Sequence, residues 1–119
     1  AEIGSYRDLV VWQQAMDLVT ADRRREKLAE DELYGLTGRI RRAAASVPAN
    51  IAEGYGRENR GSYRQFLRIA QGSLKEMETQ LLLSERIGIS SSEAIGPLLA
   101  DSESVGKLLR FLIRKLSNE

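Results

Sequence analysis

Apolar residues recur three and four positions apart along almost the whole chain, and no stretch sustains the period-two alternation of a half-buried strand. That pattern predicts an all-α fold, and glycine, proline and serine punctuate it into four segments. The first covers residues 6–27, with Ser5 as N-cap and Leu9, Trp12, Met16 and Val19 expected on one inward face. It closes on Arg23, Arg24 and Arg25, cations suited to the negative end of a helix dipole.

The second segment covers residues 31–53, with an inner stripe of Leu36, Ile40, Ala43, Val47 and Asn50/Ile51. Pro48 lies inside it. An interior proline deletes a backbone hydrogen bond and crowds the carbonyl four residues earlier, at a cost of about 3 kcal/mol, so a kink is expected over residues 44–48. Gly54 should end this helix and open a polar loop over residues 55–61. Ser62-x-x-Gln65 reads as a capping box opening a third helix that runs to Ile87, with Phe66, Ala70, Leu74, Met77, Leu81 and Ser84 inward, and Gly88 stops it. Ser90-x-x-Glu93 opens the fourth in the same way, followed by Ile95, Leu98/Leu99, Val105, Leu109, Leu112/Ile113 and Leu116. Short connections make sequence neighbours antiparallel, so the expected architecture is an antiparallel up-down-up-down four-helix bundle.

A length of 119 residues fits a single domain, residues 1–119, with one core. Cysteine and histidine are both absent, which excludes disulfides, thiolate nucleophiles, Ser-His-Asp triads and Glu-x-x-His di-iron sites. No metal and no cofactor are expected. No apolar run reaches the roughly 20 residues that span a bilayer, and the N-terminal residues lack a basic-then-apolar targeting pattern. The expected compartment is the cytoplasm.

The net charge is only +1, yet between Tyr34 and Lys75 eight basic residues stand against two acids, Glu53 and Glu58. A local excess of this kind attracts polyanions that the net charge would not. On the third helix Arg64, Arg68, Gln71 and Lys75 fall within about 60 degrees of each other at 100 degrees per residue, and the loop adds Arg57 and Arg60. Tyr55 and Tyr63 flank them, and aromatic faces beside arginines can stack unpaired bases. Arg57, Arg60, Arg64, Arg68 and Lys75 are therefore the candidate nucleic-acid-binding residues. The alternatives are a contact surface for another subunit or protein, and a merely solvated face.

Asn50 and Glu53 lie one turn apart near the inner face of the second helix and could reach Gln80 or Arg42 across the bundle. Asn50, Glu53 and Gln80 read as a structural polar motif that fixes register, as a lone interior Asn does in coiled coils. Small residues from Ala43 to Ala52, with Ala70, Gly72 and Ser73, read as close packing of the second and third helices. Gly54, Gly56 and Gly61 lack the Gly-Lys-Ser/Thr of a phosphate loop.

Leu9-x-x-Trp12-x-x-Ala15, Tyr34-Gly35-Leu36-Thr37, Arg39-Ile40-Arg41-Arg42-Ala43, Ser46-Val47-Pro48-Ala49-Asn50-Ile51-Ala52-Glu53-Gly54 and the later run from Phe66 to Leu81 occur in this order. Together they resemble the four-helix bundle proteins encoded in 23S ribosomal RNA intervening sequences, a family that includes the accessory variability protein of diversity-generating retroelements. The resemblance implies a ring-shaped homo-oligomer, with a pentamer favoured. By the example of the retroelement protein it also implies binding to RNA or DNA and to a protein partner such as a reverse transcriptase. This chain is nearly neutral and carries Asp8, Asp17, Asp22 and Glu26 in its first segment, whereas the retroelement proteins are strongly basic.

Three function classes follow. The first is a non-enzymatic homo-oligomeric scaffold that binds nucleic-acid backbone through the basic stripe. The second is a protein-protein assembly module with no nucleic-acid role. The third, a metal-dependent hydrolase or nuclease or a Ser46 or Ser73 nucleophile activated by lysine, finds no converging set of residues.

Overall fold

The structure, a computed structural model, describes the backbone of residues 4–24 and 36–118. The end expected of the first helix, residues 25–27 with Arg25, and the opening expected of the second, residues 31–35, lie outside the described residues, as do the side chains of Arg23, Arg24 and Leu36. Among the described residues a 3-10 turn, Tyr6–Asp8, precedes four helices: α1 (Val10–Arg24), α2 (Leu36–Gly56), α3 (Arg60–Arg86) and α4 (Ser92–Ser117). Among the described residues there is no strand, and the helices pack around one apolar core.

Ser5 is a cap, as its position predicts, but of the 3-10 turn. Its Oγ accepts the Arg7 N–H at 3.1 Å, and Asp8 Oδ2 accepts the Gly4 and Ser5 N–H groups at 2.9 and 3.2 Å. The α-helix starts only after extended Leu9, and its buried face differs from the expected one. Val11, Ala15 and Leu18 are buried and Trp12 and Val19 pack beside them, while Met16 is exposed. Four successive apolar residues, 9–12, fit several helical phases, and the phase adopted buries small Ala15 completely.

Helix α2 buries Ile40, Ala43, Ala44, Val47 and Ile51 and continues through Pro48 and past Gly54 to Gly56. Gly54 is a packing position instead of a stop: a Cβ there would lie 2.8 Å from Phe66 Cβ. The chain reverses over residues 57–59, with Glu58 in the left-handed region at φ 55°. Asn59 caps α3 by accepting the Ser62 N–H at 2.9 Å, so the Ser62-x-x-Gln65 box lies within the helix and does not open it.

Helix α3 buries Leu67, Ala70, Leu74, Met77, Leu81 and Ser84. Phe66, expected inward, is half-buried because Leu67 fills the core position. Gly88, at φ 85°, ends the helix as expected, and the Ile89 and Ser90 N–H groups turn back onto the Ser84 carbonyl at 2.9 and 3.1 Å. That turn holds Ser90 outside α4, so the cap passes to Ser91, whose Oγ accepts the Ala94 N–H at 3.1 Å.

Helices α2 and α3 run in opposite directions, since Ser46 meets Ser73 while Gly54 meets Tyr63 and Phe66. Helices α3 and α4 do the same: Arg64 meets Leu116 and Glu78 meets Ser102. Among the described residues no helix is long and apolar enough to cross a membrane.

Candidate functional site

The five predicted cations lie along the α2–α3 corner and down α3, but they are not equivalent. Arg57 folds back along α2, with Nη2 2.9 Å and Nε 3.1 Å from Glu53 Oε2 and its guanidinium 4.9 Å from the Phe66 ring centroid. This is an i,i+4 pair with a cation–π contact, and it commits Arg57 locally. Arg64, a candidate nucleic-acid-binding residue in the sequence, is half-buried, and its Nη1 donates to the Leu116 carbonyl at 3.3 Å, which engages it within the fold. The last carbonyls of a helix have no intrahelical donor, and Arg64 supplies one to α4. Arg60 and Arg68 are exposed. Lys75 is also exposed and sits 3.2 Å from Glu78 Oε1, an i,i+3 pair of the kind that contributes little at a surface.

The antiparallel register of α3 and α4 adds a cation that the sequence pattern did not reveal. Arg68, Gln71, Gly72 and Lys75 from α3, with Gly106 and Arg110 from α4, line an open groove of about 350 Å³. Among the described residues neither Arg68 nor Arg110 has an ion-pair partner. An adjoining cleft shares Lys75, Gly106 and Arg110 with this groove and adds Glu78 and Glu103, so carboxylates border the cations on one side. The signal for Arg110 was present in its spacing of one turn from Gly106, but only the packing of α4 on α3 sets the two beside Arg68.

Gly72 was expected to let α2 and α3 approach closely. It does not: it is exposed, and a Cβ built on it would meet nothing within 4 Å. Gly106 is buried, and a Cβ there would stand 3.4 Å from Leu74 Cδ2 and 3.5 Å from Arg110 Nη1.

The aromatic residues at the corner pack on each other. Tyr55 and Tyr63 meet edge to face with ring centroids 6.0 Å apart. Burial, and after it the neighbouring Tyr55, push the Tyr63 phenol up to about 12. Neither ring is a bare stacking platform, since both pack partly against the core.

The polar motif divides. Asn50 Nδ2 donates to the Ser46 carbonyl and to Ser46 Oγ, each at 2.8 Å, and Ser46 Oγ lies 2.8 Å from Ser73 Oγ. Asn50 thus joins α2 to α3 through Ser46, whereas Glu53 turns outward to Arg57. Gln80 lies further along α3 with a buried Oε1 that has no hydrogen-bond partner among the described residues, so the structure does not bring the three together. Ser46 and Ser73 satisfy each other, and among the described residues no cluster of three acidic groups is disposed to hold a metal ion.

A family model described as "23S rRNA-intervening sequence protein" matches residues 7–110. A solved structure from Bacteroides thetaiotaomicron, described as a protein with unknown function from the S23 ribosomal protein family, superposes with a TM-score of 0.81 at 25% identity, covering 87% of this chain and 98% of that one. No curated protein matches the chain.

Proposed function

Because the chain belongs to the 23S rRNA-intervening sequence protein family, we propose that it is a non-enzymatic, homo-oligomeric helical scaffold that holds nucleic acid by its backbone. The observation that carries this reading is the pair of unpartnered cations, Arg68 and Arg110, facing one groove beside exposed Lys75. Cations on long flexible stems, without a helix shaped to enter a groove of the nucleic acid, position phosphates and do not read bases. The binding is therefore sequence-tolerant and salt-sensitive. Titration of single-stranded DNA and structured RNA at several salt concentrations tests it. Absence of salt-sensitive binding to both would end the reading.

The homo-oligomer rests on exposed apolar side chains. Val10, Val11 and Leu18 of α1 and Leu108 and Leu112 of α4 are more apolar side chains than one inward stripe needs; Val11 and Leu18 are consumed in the core, Leu108 and Leu112 are partly buried against it, and Val10 is exposed. Met16 on α1, Ile69, Leu82 and Leu83 on α3, Ile87 at its C-cap and Phe111 on α4 are exposed as well. Exposed apolar side chains on several elements are candidates for contacts between subunits; the resemblance favours a pentamer, and the cytoplasm is the compartment we propose. Light scattering should give several times the 13.3 kDa of one chain. The second reading, a protein-protein assembly module, draws on the same apolar residues and gains if oligomers form without nucleic-acid binding.

A further inference from the structure

We infer that the groove between α3 and α4 is a phosphate-binding subsite built by two helices, in which Arg68 and Arg110 clamp the anion, Lys75 adds charge, and Gly72 and Gly106 leave room for it. The inference rests on the nucleic-acid reading for the source of the phosphate, but it assigns the anion to one place and adds a residue from a helix outside the basic stripe.

Three observations carry it. First, Arg68 and Arg110 come from different helices and neither has an ion-pair partner among the described residues, although both line one groove. Planar guanidinium groups suit phosphate oxygens, which accept two parallel N–H bonds. Second, an interior helical glycine costs about 1 kcal/mol relative to alanine, and Gly72 recovers none of it by close packing, since nothing lies within 4 Å of its missing Cβ. The bare backbone widens the groove wall. At Gly106 a Cβ would stand 3.5 Å from Arg110 Nη1, an ordinary contact distance, so the Arg110 guanidinium lies against the bare backbone of that turn. Third, the adjoining cleft, which Lys75, Gly106 and Arg110 also line, carries Glu78 and Glu103, so carboxylates repel an anion from that side and leave it the side that Arg68 lines.

A groove of about 350 Å³ is at the small end of ligand sites and is open. It therefore suits a phosphate carried on a strand or on a mononucleotide lying along it, and does not engulf a larger molecule. The phosphodiester of a single strand and the monoester of a free nucleotide share this chemistry.

The test measures fluorescence anisotropy of a labelled ten-nucleotide oligothymidylate and calorimetry with AMP, for the full chain and for Arg68→Gln, Arg110→Gln and Lys107→Gln. Lys107 is an exposed cation of α4 outside the groove lining, so its variant matches the charge change alone. Circular dichroism and light scattering check that each variant keeps its helices and assembly. The subsite predicts that Arg68→Gln and Arg110→Gln each weaken oligonucleotide binding about tenfold, and Lys107→Gln by less than twofold. Equal losses in all three variants would overturn the subsite and leave diffuse backbone binding standing. Binding of AMP alone, lost in Arg110→Gln, would keep the subsite and remove the nucleic-acid reading. Binding of neither probe by the full chain would overturn both.

Discussion

Arg64 on α3 donates to the backbone carbonyl of Leu116 on α4 across 3.3 Å, which ties the head of the basic stripe to the last turn of the bundle. A residue that looks like a surface cation in the sequence is part of the fold. Arg64→Ala should lower stability by about 1–2 kcal/mol, because it removes a charged donor from a carbonyl that has no intrahelical one. Arg68→Ala, on an exposed position without an ion-pair partner, should stay within about 0.5 kcal/mol of the parent. Urea unfolding of the two variants side by side checks the contrast, and equal stabilities would show that the Arg64 bond contributes nothing.

The glycines should separate in the same way. Gly54→Ala places a Cβ 2.8 Å from Phe66 Cβ and 3.2 Å from Tyr63, so α2 and α3 must move apart, at about 1–3 kcal/mol. Gly72→Ala meets nothing and should stabilise α3 by up to about 1 kcal/mol. Thermal melting that moves in opposite directions for the two variants is the expected result.

Tyr63 should make stability fall in alkali. Burial raises its phenol from 10.0 to about 12 in the folded chain, so the folded state holds the proton more tightly than the unfolded one. Its contribution is complete below pH 10 and is lost as pH rises through about 12. Tyr63→Phe should behave like the parent at neutral pH and lose less stability between pH 10 and 12. An identical alkaline decline in both proteins would mean that Tyr63 ionises as freely folded as unfolded.

Ser46 and Ser73, 2.8 Å apart, should be energetically coupled. In a double-mutant cycle of Ser46→Ala and Ser73→Ala the coupling should be about 0.5–1.5 kcal/mol. Additive losses would show that Asn50 alone satisfies Ser46.

What the sequence disclosed and what it hid divide along one line. Period, helix number and the stop at Gly88 are local properties, but Gly54 and Ser62 carry the same signals inside helices, where packing on Phe66 and the Asn59 cap decide the ends. The phase of α1 was hidden, since residues 9–12 are all apolar and period alone cannot choose among their faces. The stripe on α3 was visible from residue spacing. The Glu53–Arg57 pair was also within reach, being an i,i+4 contact on one helix. The engagement of Arg64 with Leu116, the emptiness around Gly72 and the placing of Arg110 beside Arg68 all depend on how α4 packs against α3. No spacing within one helix encodes that register.

The salt dependence of oligothymidylate binding tests the central claim most directly. Arg57 is held by Glu53 and Arg64 by Leu116, so the groove offers Arg68, Lys75 and Arg110 to phosphates. Three contacts at about 0.7 each give a slope of log K against log salt near −2 per site, and Arg68→Gln with Arg110→Gln should flatten it to about −0.7. A slope near zero in the full chain, or one unchanged in the double variant, would contradict the account.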